Sequence, residues 1–310
     1  MSSTKNIVKL PSRSVSDFDL TFDRQTIDVR DSNTAWQKLS VKLAKKEVKC
    51  LDHIDDNGDF QEKKPESIRV VMISDTHDSH NLITDIPDGD ILIHAGDFTQ
   101  NGSPRDVYQF SKWFASQPHK HKVVVAGNHD ITLDVDFYQE EGHRWHGKAL
   151  KDFKASLTAM RENPKFHYLE NSSVEVCGLN IFGSPYSAFF HNWAFNSHRG
   201  PECQAIWSQI PDNTDVIIAH GPALGYGDRC GNPRYLAEQG TSVGCANLLH
   251  EIKYRIKPRL MISGHIHEDP GAWTDGVTTF VNASTCRRRD HFCDFKYKPT
   301  NPVRVIDLTV

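Results

Sequence analysis

Five short apolar runs in this chain each lead into a side chain that can bind a metal ion. Arg69-Val-Val-Met-Ile-Ser74 runs into Asp75-Thr-His77, and Ile91-Leu-Ile-His-Ala95 runs into Gly96-Asp97. Val123-Val-Val-Ala126 leads to Gly127-Asn128-His129-Asp130, and Val216-Ile-Ile-Ala219 leads to His220-Gly221. Leu260-Met-Ile-Ser263 leads to Gly264-His265-Ile266-His267. A continuous Val/Ile/Leu run bounded by Gly and polar residues reads as a strand buried on both faces. Ligands of open α/β sheets gather outside the carboxyl ends of such strands. The five segments therefore predict one rim that carries Asp, Asn and His, which is a metal site and an expected active site.

The donor types narrow the chemistry. Asp75 and His77 are two residues apart after a strand, so a turn can bring both to one ion. Asp97 has two oxygens with several lone pairs and can bridge two cations. Asn128 offers a neutral carbonyl, and His220, His265 and His267 offer imidazoles. The i, i+2 spacing of His265 and His267 could send one to each of two ions. This mixture suits Mn, Fe, Zn or Co better than Ca or a thiolate zinc site. Two such ions form a clamp that activates a shared water and stabilises phosphoryl charge during in-line attack.

Composition sets the outer bounds. The chain has 310 residues, enough for one large domain or two small ones, with 25% charged residues and a net charge of −4. It has no basic excess and so no electrostatic footprint for nucleic acid. No apolar stretch approaches the ~20 residues of a membrane helix, and the N-terminus lacks the apolar core of a secretory signal. The seven cysteines are odd in number and form no CxxC pair. Reduced thiols in a cytoplasmic protein are expected.

Residues 1–66 read as a partly ordered N-terminal extension and 67–310 as one α/β domain, with two sheets or one large mixed sheet. Within the extension, Asn33 to Glu47 could form a short amphipathic helix. Asp55-Asp-Asn-Gly-Asp59 lacks the spacing and closing Glu of a calcium loop and reads as a solvated turn. Helices are predicted over Arg105–Ser116, Leu150–Glu162, a short span after Pro201 that carries Trp207, and Cys245–Ile256. Further strands are predicted at Phe166–Leu169, Val174–Cys177, Asn180–Phe182, Thr278–Asn282 and Val303–Leu308.

The ordered motifs Asp-x-His, Gly-Asp, Gly-Asn-His-Asp, His-Gly and Gly-His-x-His resemble those of the calcineurin-like metallophosphoesterase superfamily, over roughly residues 68–285. Ser74 stands where the usual first motif has Gly. Phe98-Thr-Gln follows Asp97 where the protein Ser/Thr phosphatases have Asp-Arg-Gly. Longer stretches are similar to the animal metallophosphoesterase-domain-containing proteins, a cyclic-nucleotide phosphodiesterase-like group: Ser74-Asp-Thr-His77, Gly89-Asp-Ile-Leu-Ile-His-Ala-Gly-Asp97, Gly264-His-Ile-His-Glu268 and Asn282-Ala-Ser-Thr-Cys286. One member of that group is expected to carry Gly at the position matching His265, whereas this chain keeps the His.

The resemblance implies a four-layer α/β/β/α sandwich with a dinuclear metal site at the strand C-terminal ends. It implies a first ion on Asp75, His77, Asp97 and His267, and a second on Asp97, Asn128, His220 and His265, with Mn the expected ion in vitro. His129 would be the proton donor to the leaving alkoxide, oriented by Asp130. The implied function is a metal-dependent phosphodiesterase that hydrolyses small nucleotide or cyclic-nucleotide diesters by a metal-bridged hydroxide. The alternatives are a nucleotide- and metal-binding regulatory module of low turnover, a phosphomonoesterase or protein phosphatase, or a protein-binding scaffold.

Other residues read more plainly. His94 is expected to be buried and hydrogen-bonded, while His80 and His191 are expected at the surface. Tyr186, Phe189, Phe190, Trp193 and Phe195 form an aromatic cluster that packs in the core or covers a loop, or else makes a base-stacking wall. Arg287-Arg-Arg289 is a solvated face or a phosphate attractor. Cys230 has no inferred role.

Overall fold

The apolar runs form strands because their alternate residues serve two different cores. In a computed structural model that describes residues 46–47, 62–63, 65–147, 152–231, 240–288 and 297–309, two sheets stack face to face. The strands of these two sheets are β1 (Lys46–Glu47), β2 (Ser67–Ile73), β3 (Ile91–His94), β4 (His121–Val125), β5 (His167–Leu169), β6 (Ser172–Val176) and β7 (Leu179–Ser184). They continue as β8 (Val216–Ala219), β9 (Leu260–Ser263), β10 (Gly271–Thr274), β11 (Thr279–Asn282) and β12 (Arg304–Thr309). One sheet has the order β12-β2-β3-β4-β5, with β2 to β5 parallel and β12 antiparallel. The other has the order β1-β10-β11-β9-β8-β7-β6, with β7, β8, β9 and β11 parallel.

Between the sheets, Val70, Met72, Ile91, Ile93 and Val123 of the first meet Ile181, Val216, Ile218, Leu260 and Ile262 of the second. The intervening residues point outward. Val71, Ile73, Leu92 and Val124 pack beneath helices α1 (Pro104–Ser116) and α3 (Phe153–Arg161). Ile217, Met261 and Phe280 pack beneath α4 (Pro201–Trp207) and α5 (Ala246–His250). A short helix α2 (Val135–Glu141) precedes α3. The result is the four-layer α/β/β/α sandwich with mixed sheets. Helix α1 begins where the sequence dictates: the Ser103 side chain accepts from the Asp106 amide, and Pro104 fills the first turn, where no amide donor is needed.

Several expectations need adjustment. The predicted helix over Leu150–Glu162 is shorter, Phe153–Arg161, and Leu150 lies outside the described residues. The Cys245–Ile256 helix widens to π geometry over Glu251–Ile256. His80 is not at the surface. It is 2% exposed, its ring packs against Trp113 and Phe110, and burial lowers its pKa to about 4. The cause is its place on a short turn pinned beside α1, a tertiary contact its local sequence does not announce. His191 is exposed as expected. The candidate helix from Asn33 and the Asp55–Asp59 turn lie outside the described residues, except that Lys46 and Glu47 are strand and pair with Thr274 and Trp273. Among the described residues no helix is long and apolar enough to cross a membrane.

Candidate metal centre

The carboxyl ends of β2, β3, β4, β8 and β9 meet where the two sheets join, marked by an isolated parallel bridge between Ser74 and Ser284. Backbone bonds lace the ligand-bearing loops together. Asp75 N donates to Gly96 O at 2.9 Å, His77 N to Asp97 O at 3.0 Å, and Gly264 N to His220 O at 3.0 Å. The packing is close enough to exclude side chains between the loops. A Cβ on Gly127 would lie 2.6 Å from Asp97 N and 2.7 Å from His220 Cε1, and one on Gly264 would overlap Ser74 Oγ and Asp75 Oδ2. Four of the candidate ligands have left-handed backbone: Asp75 (φ 55°), His77 (40°), Asp97 (53°) and His265 (67°). Such residues are uncommon outside glycine and cluster where function over-determines the backbone.

The candidate ligands, joined by His129, converge in three overlapping groups, Asp75–His77–His267, His77–Asp97–His129 and Asp97–His220–His265, each with its donor atoms within 4.8 Å of one another. Asn128 joins the third group, its Oδ1 3.0 Å from His220 Nε2. Asp97 thus lies between the two ends of the site, 3.8 Å from His77 Nε2 and 3.3 Å from His220 Nε2.

The hydrogen bonds around the ring decide which nitrogens point inward. A carbonyl only accepts, so His220 Nδ1, 2.9 Å from Ala95 O, carries a proton, as does His267 Nδ1, 2.5 Å from Cys286 O. In the neutral rings Nε2 then presents a lone pair. His220 Nε2 faces two further acceptors, Asn128 Oδ1 and Asp97 Oδ2. His267 Nε2 lies 3.2 Å from His77 Nε2 and 3.4 Å from Asp75 Oδ1. Lone pairs set against lone pairs in a buried place are unfavourable unless a cation lies among them. The donor set therefore fits divalent ions.

The electrostatics point the same way. Burial, with the neighbouring His129 ring next, lowers the His77 pKa far below its usual value, and burial and His220 bring His265 to about 3. Both are neutral imidazoles, the form that binds metal. Burial opposes charge on His220 too, but Asp97 reverses the balance and raises it to about 9. The field at that nitrogen favours positive charge. Asp97 in turn is held well below the carboxylate range, because His220 and His129 outweigh its burial.

His129 sits beside these groups. Its amide donates to Asp97 Oδ1 at 2.8 Å, and its Nδ1 lies 2.8 Å from Gln100 O, which leaves Nε2 with the lone pair. Its ring lies 4.2 Å from that of Trp193. The expectation that Asp130 orients His129 is corrected. The Asp130 carboxylate accepts from Gly127 N (2.8 Å), Thr99 N (2.9 Å) and Thr99 Oγ1 (2.7 Å), and the residue is 0% exposed. It ties the Asp97 loop to the Asn128 loop and has no path to a substrate. Burial and the nearby Asp97 raise its pKa to about 8.

The donors open into a cavity of about 720 Å³. Phe189, Phe190, Trp193 and Tyr297 line it, with Arg199 and Cys230 on its wall. The aromatic cluster is divided: Phe195 is buried in the core, whereas Phe190 and Trp193 face the cavity. His94 is buried, with Nε2 3.0 Å from Thr76 Oγ1, and is not a candidate ligand. Sequence reasoning missed Gln100, which sets the His129 tautomer, and Ser284, whose hydroxyl donates to Asp75 Oδ2 at 2.8 Å. It also missed Tyr297, whose ring stacks on His77 at 3.9 Å. Ser284 lies inside the Asn-Ala-Ser-Thr-Cys stretch and was within reach; a tyrosine 220 positions from its histidine was not.

Comparison with known proteins supports this reading. The family model described as calcineurin-like phosphoesterase matches residues 68–269. The human protein named metallophosphoesterase domain-containing protein 1 is 38% identical over 257 residues, 79% of this chain and 72% of that one. A UPF0046 protein of Caenorhabditis elegans is 34% identical over 279 residues, 87% of this chain and 66% of its own length. A solved structure covers 70% of this chain and 91% of itself with a TM-score of 0.52 at 17% identity, a likeness of fold alone. A family match across most of the chain, on a fold and a ring of donors that stand without it, makes this chain a member of the calcineurin-like phosphoesterases, a family of metal-dependent phosphoesterases.

Proposed function

We propose that the chain is a phosphodiesterase for small nucleotides, cyclic nucleotides among them, and that it works with two divalent ions, Mn in vitro. Asp75, His77, Asp97 and His267 would hold the first ion, and Asp97, Asn128, His220 and His265 the second. The observation that carries the reading is the shared position of Asp97, whose carboxylate belongs to donor groups on both sides. When bound, the two ions lower the pKa of a shared water and neutralise charge on the phosphoryl oxygens.

The chain's own residues supply the rest. Asp97 would serve the ions on both sides and accepts from the His129 amide. Gln100 O holds the proton on His129 Nδ1, so Nε2, once protonated, gives its proton to the leaving alkoxide. Trp193 holds the His129 ring from the side. The diester preference is supported by the cavity: about 720 Å³ is more than a phosphate needs, and Phe190 and Trp193 offer flat apolar faces to a base.

A substrate panel tests this. Hydrolysis of phosphomonoesters, linear diesters and 2′,3′- and 3′,5′-cyclic nucleotides would be compared with Mn added. Diesters, cyclic nucleotides included, should turn over faster than monoesters. Faster turnover of monoesters would overturn the diester reading. Metal and nucleotide binding without turnover of any ester would favour a regulatory module.

A further inference from the structure

The two ends of the metal site are braced by different parts of the chain. The segment from Asn282 onward lies beyond the residues matched by the family model, and the hydrogen bonds and ring contacts that its described residues make to candidate ligands go to Asp75, His77 and His267 of the first ion. Ser284 Oγ donates to Asp75. Cys286 O accepts from His267 Nδ1, and Arg287 Nε donates to His267 O at 3.2 Å. Cys286–Arg288 pairs antiparallel with Tyr297–Pro299, and the Tyr297 ring lies on His77 with centroids 3.9 Å apart and planes 20° from parallel. Tyr297 O also accepts from Ser79 Oγ at 2.7 Å, which ties this ribbon to the loop that carries Asp75 and His77. Support for the second ion comes from elsewhere: His220 bonds Ala95 O, and the His220 and Gly264 backbones are joined to each other and to Ser184.

The geometry points to the ribbon of residues 286–288 and 297–299 as a brace specific to the first ion, with Tyr297 as its positioning residue. This rests on the two-ion reading above. Three of the four ligands of that ion are contacted by one late segment, Asp75 also accepting from the His265 amide at 2.9 Å, so its state sets occupancy at one end of the site and leaves the imidazoles of the other end alone. Tyr297 acts through shape. Its flat face restricts the His77 ring to the plane in which Nε2 meets His267 and Asp97, and it shields that end of the cavity from water. The partners that orient metal ligands are typically worth about 10–100-fold in metal affinity.

The test is metal binding by the 310-residue chain, read by Mn titration and elemental analysis. The unmodified chain should hold two ions. Tyr297→Ala should keep one ion at unchanged affinity and weaken the other about 10–100-fold, while Tyr297→Phe, which keeps the ring, should bind both normally. Arg287→Ala should weaken the same ion and provides a second variant if Tyr297→Ala does not fold. In a His265→Gly background, which retains the first ion, adding Tyr297→Ala should remove the ion that is left. Equal loss of both ions, unchanged binding in both ribbon variants, or a Phe variant as weak as the Ala variant would overturn the brace. Fewer than two ions in the unmodified chain would instead overturn the two-ion reading, which is a separate result.

Discussion

Asp97→Asn should lower kcat by about 10³-fold or more, because several kcal/mol of transition-state stabilisation would be lost. Asp97 is the carboxylate shared by two of the three donor groups, one with His77 and His129 and one with His220 and His265. Its two oxygens are divided, Oδ1 toward the His129 amide and Oδ2 toward His220 and His77. An amide keeps the shape and one acceptor but loses the charge that would hold two cations. The fold should survive, since Asn still accepts from the His129 amide and the surrounding loops are held by backbone bonds. Circular dichroism would confirm the fold and elemental analysis would show fewer ions per chain. Two ions and an undiminished rate in this variant would remove Asp97 from the bridge.

His129→Ala should lower kcat by about 10²–10⁴-fold while metal content stays unchanged. The selectivity of the loss matters more than its size. A nitrophenolate leaves without a proton, so the deficit should shrink for that leaving group and persist for a nucleoside alkoxide. Equal losses for both would make His129 an electrostatic or structural group. Its ring lies 4.6 Å from the His77 ring and its nitrogen lies within 4.8 Å of donors from His77 and Asp97. A fall in metal content would therefore make it a ligand.

The parts of this account that sequence could carry are those written into consecutive residues. Ile91-Leu-Ile fixes a strand with two buried faces, and Gly96-Asp97 after it fixes a tight turn that ends on a carboxylate. Gly264-His-Ile-His267 does the same for two imidazoles. The fold followed from such runs because alternation within each strand supplies both cores. Orientation did not follow. By sequence Asp130 belongs with its neighbour His129, yet its carboxylate accepts from Thr99 and Gly127, and the His129 partner is a backbone carbonyl of Gln100 that has no side-chain signature. His80 read as exposed because nothing local shows that α1 closes over it. Tyr297 reaches His77 only through the antiparallel return of the chain's last segment. Contacts of that kind are set by tertiary packing and leave no periodic trace.

If ions held around Asp97 are needed for the hydrolysis, removing them should abolish it. The chain would be dialysed at length against excess chelator, its metal content measured, and the hydrolysis of a chromogenic phosphodiester followed before and after ions are returned. The account predicts two ions per chain at the start, no hydrolysis once they are gone, and recovery that is stronger with Mn than with Mg, because imidazole ligands favour the softer ion. Full activity in excess chelator, with no metal left in the protein, would contradict it.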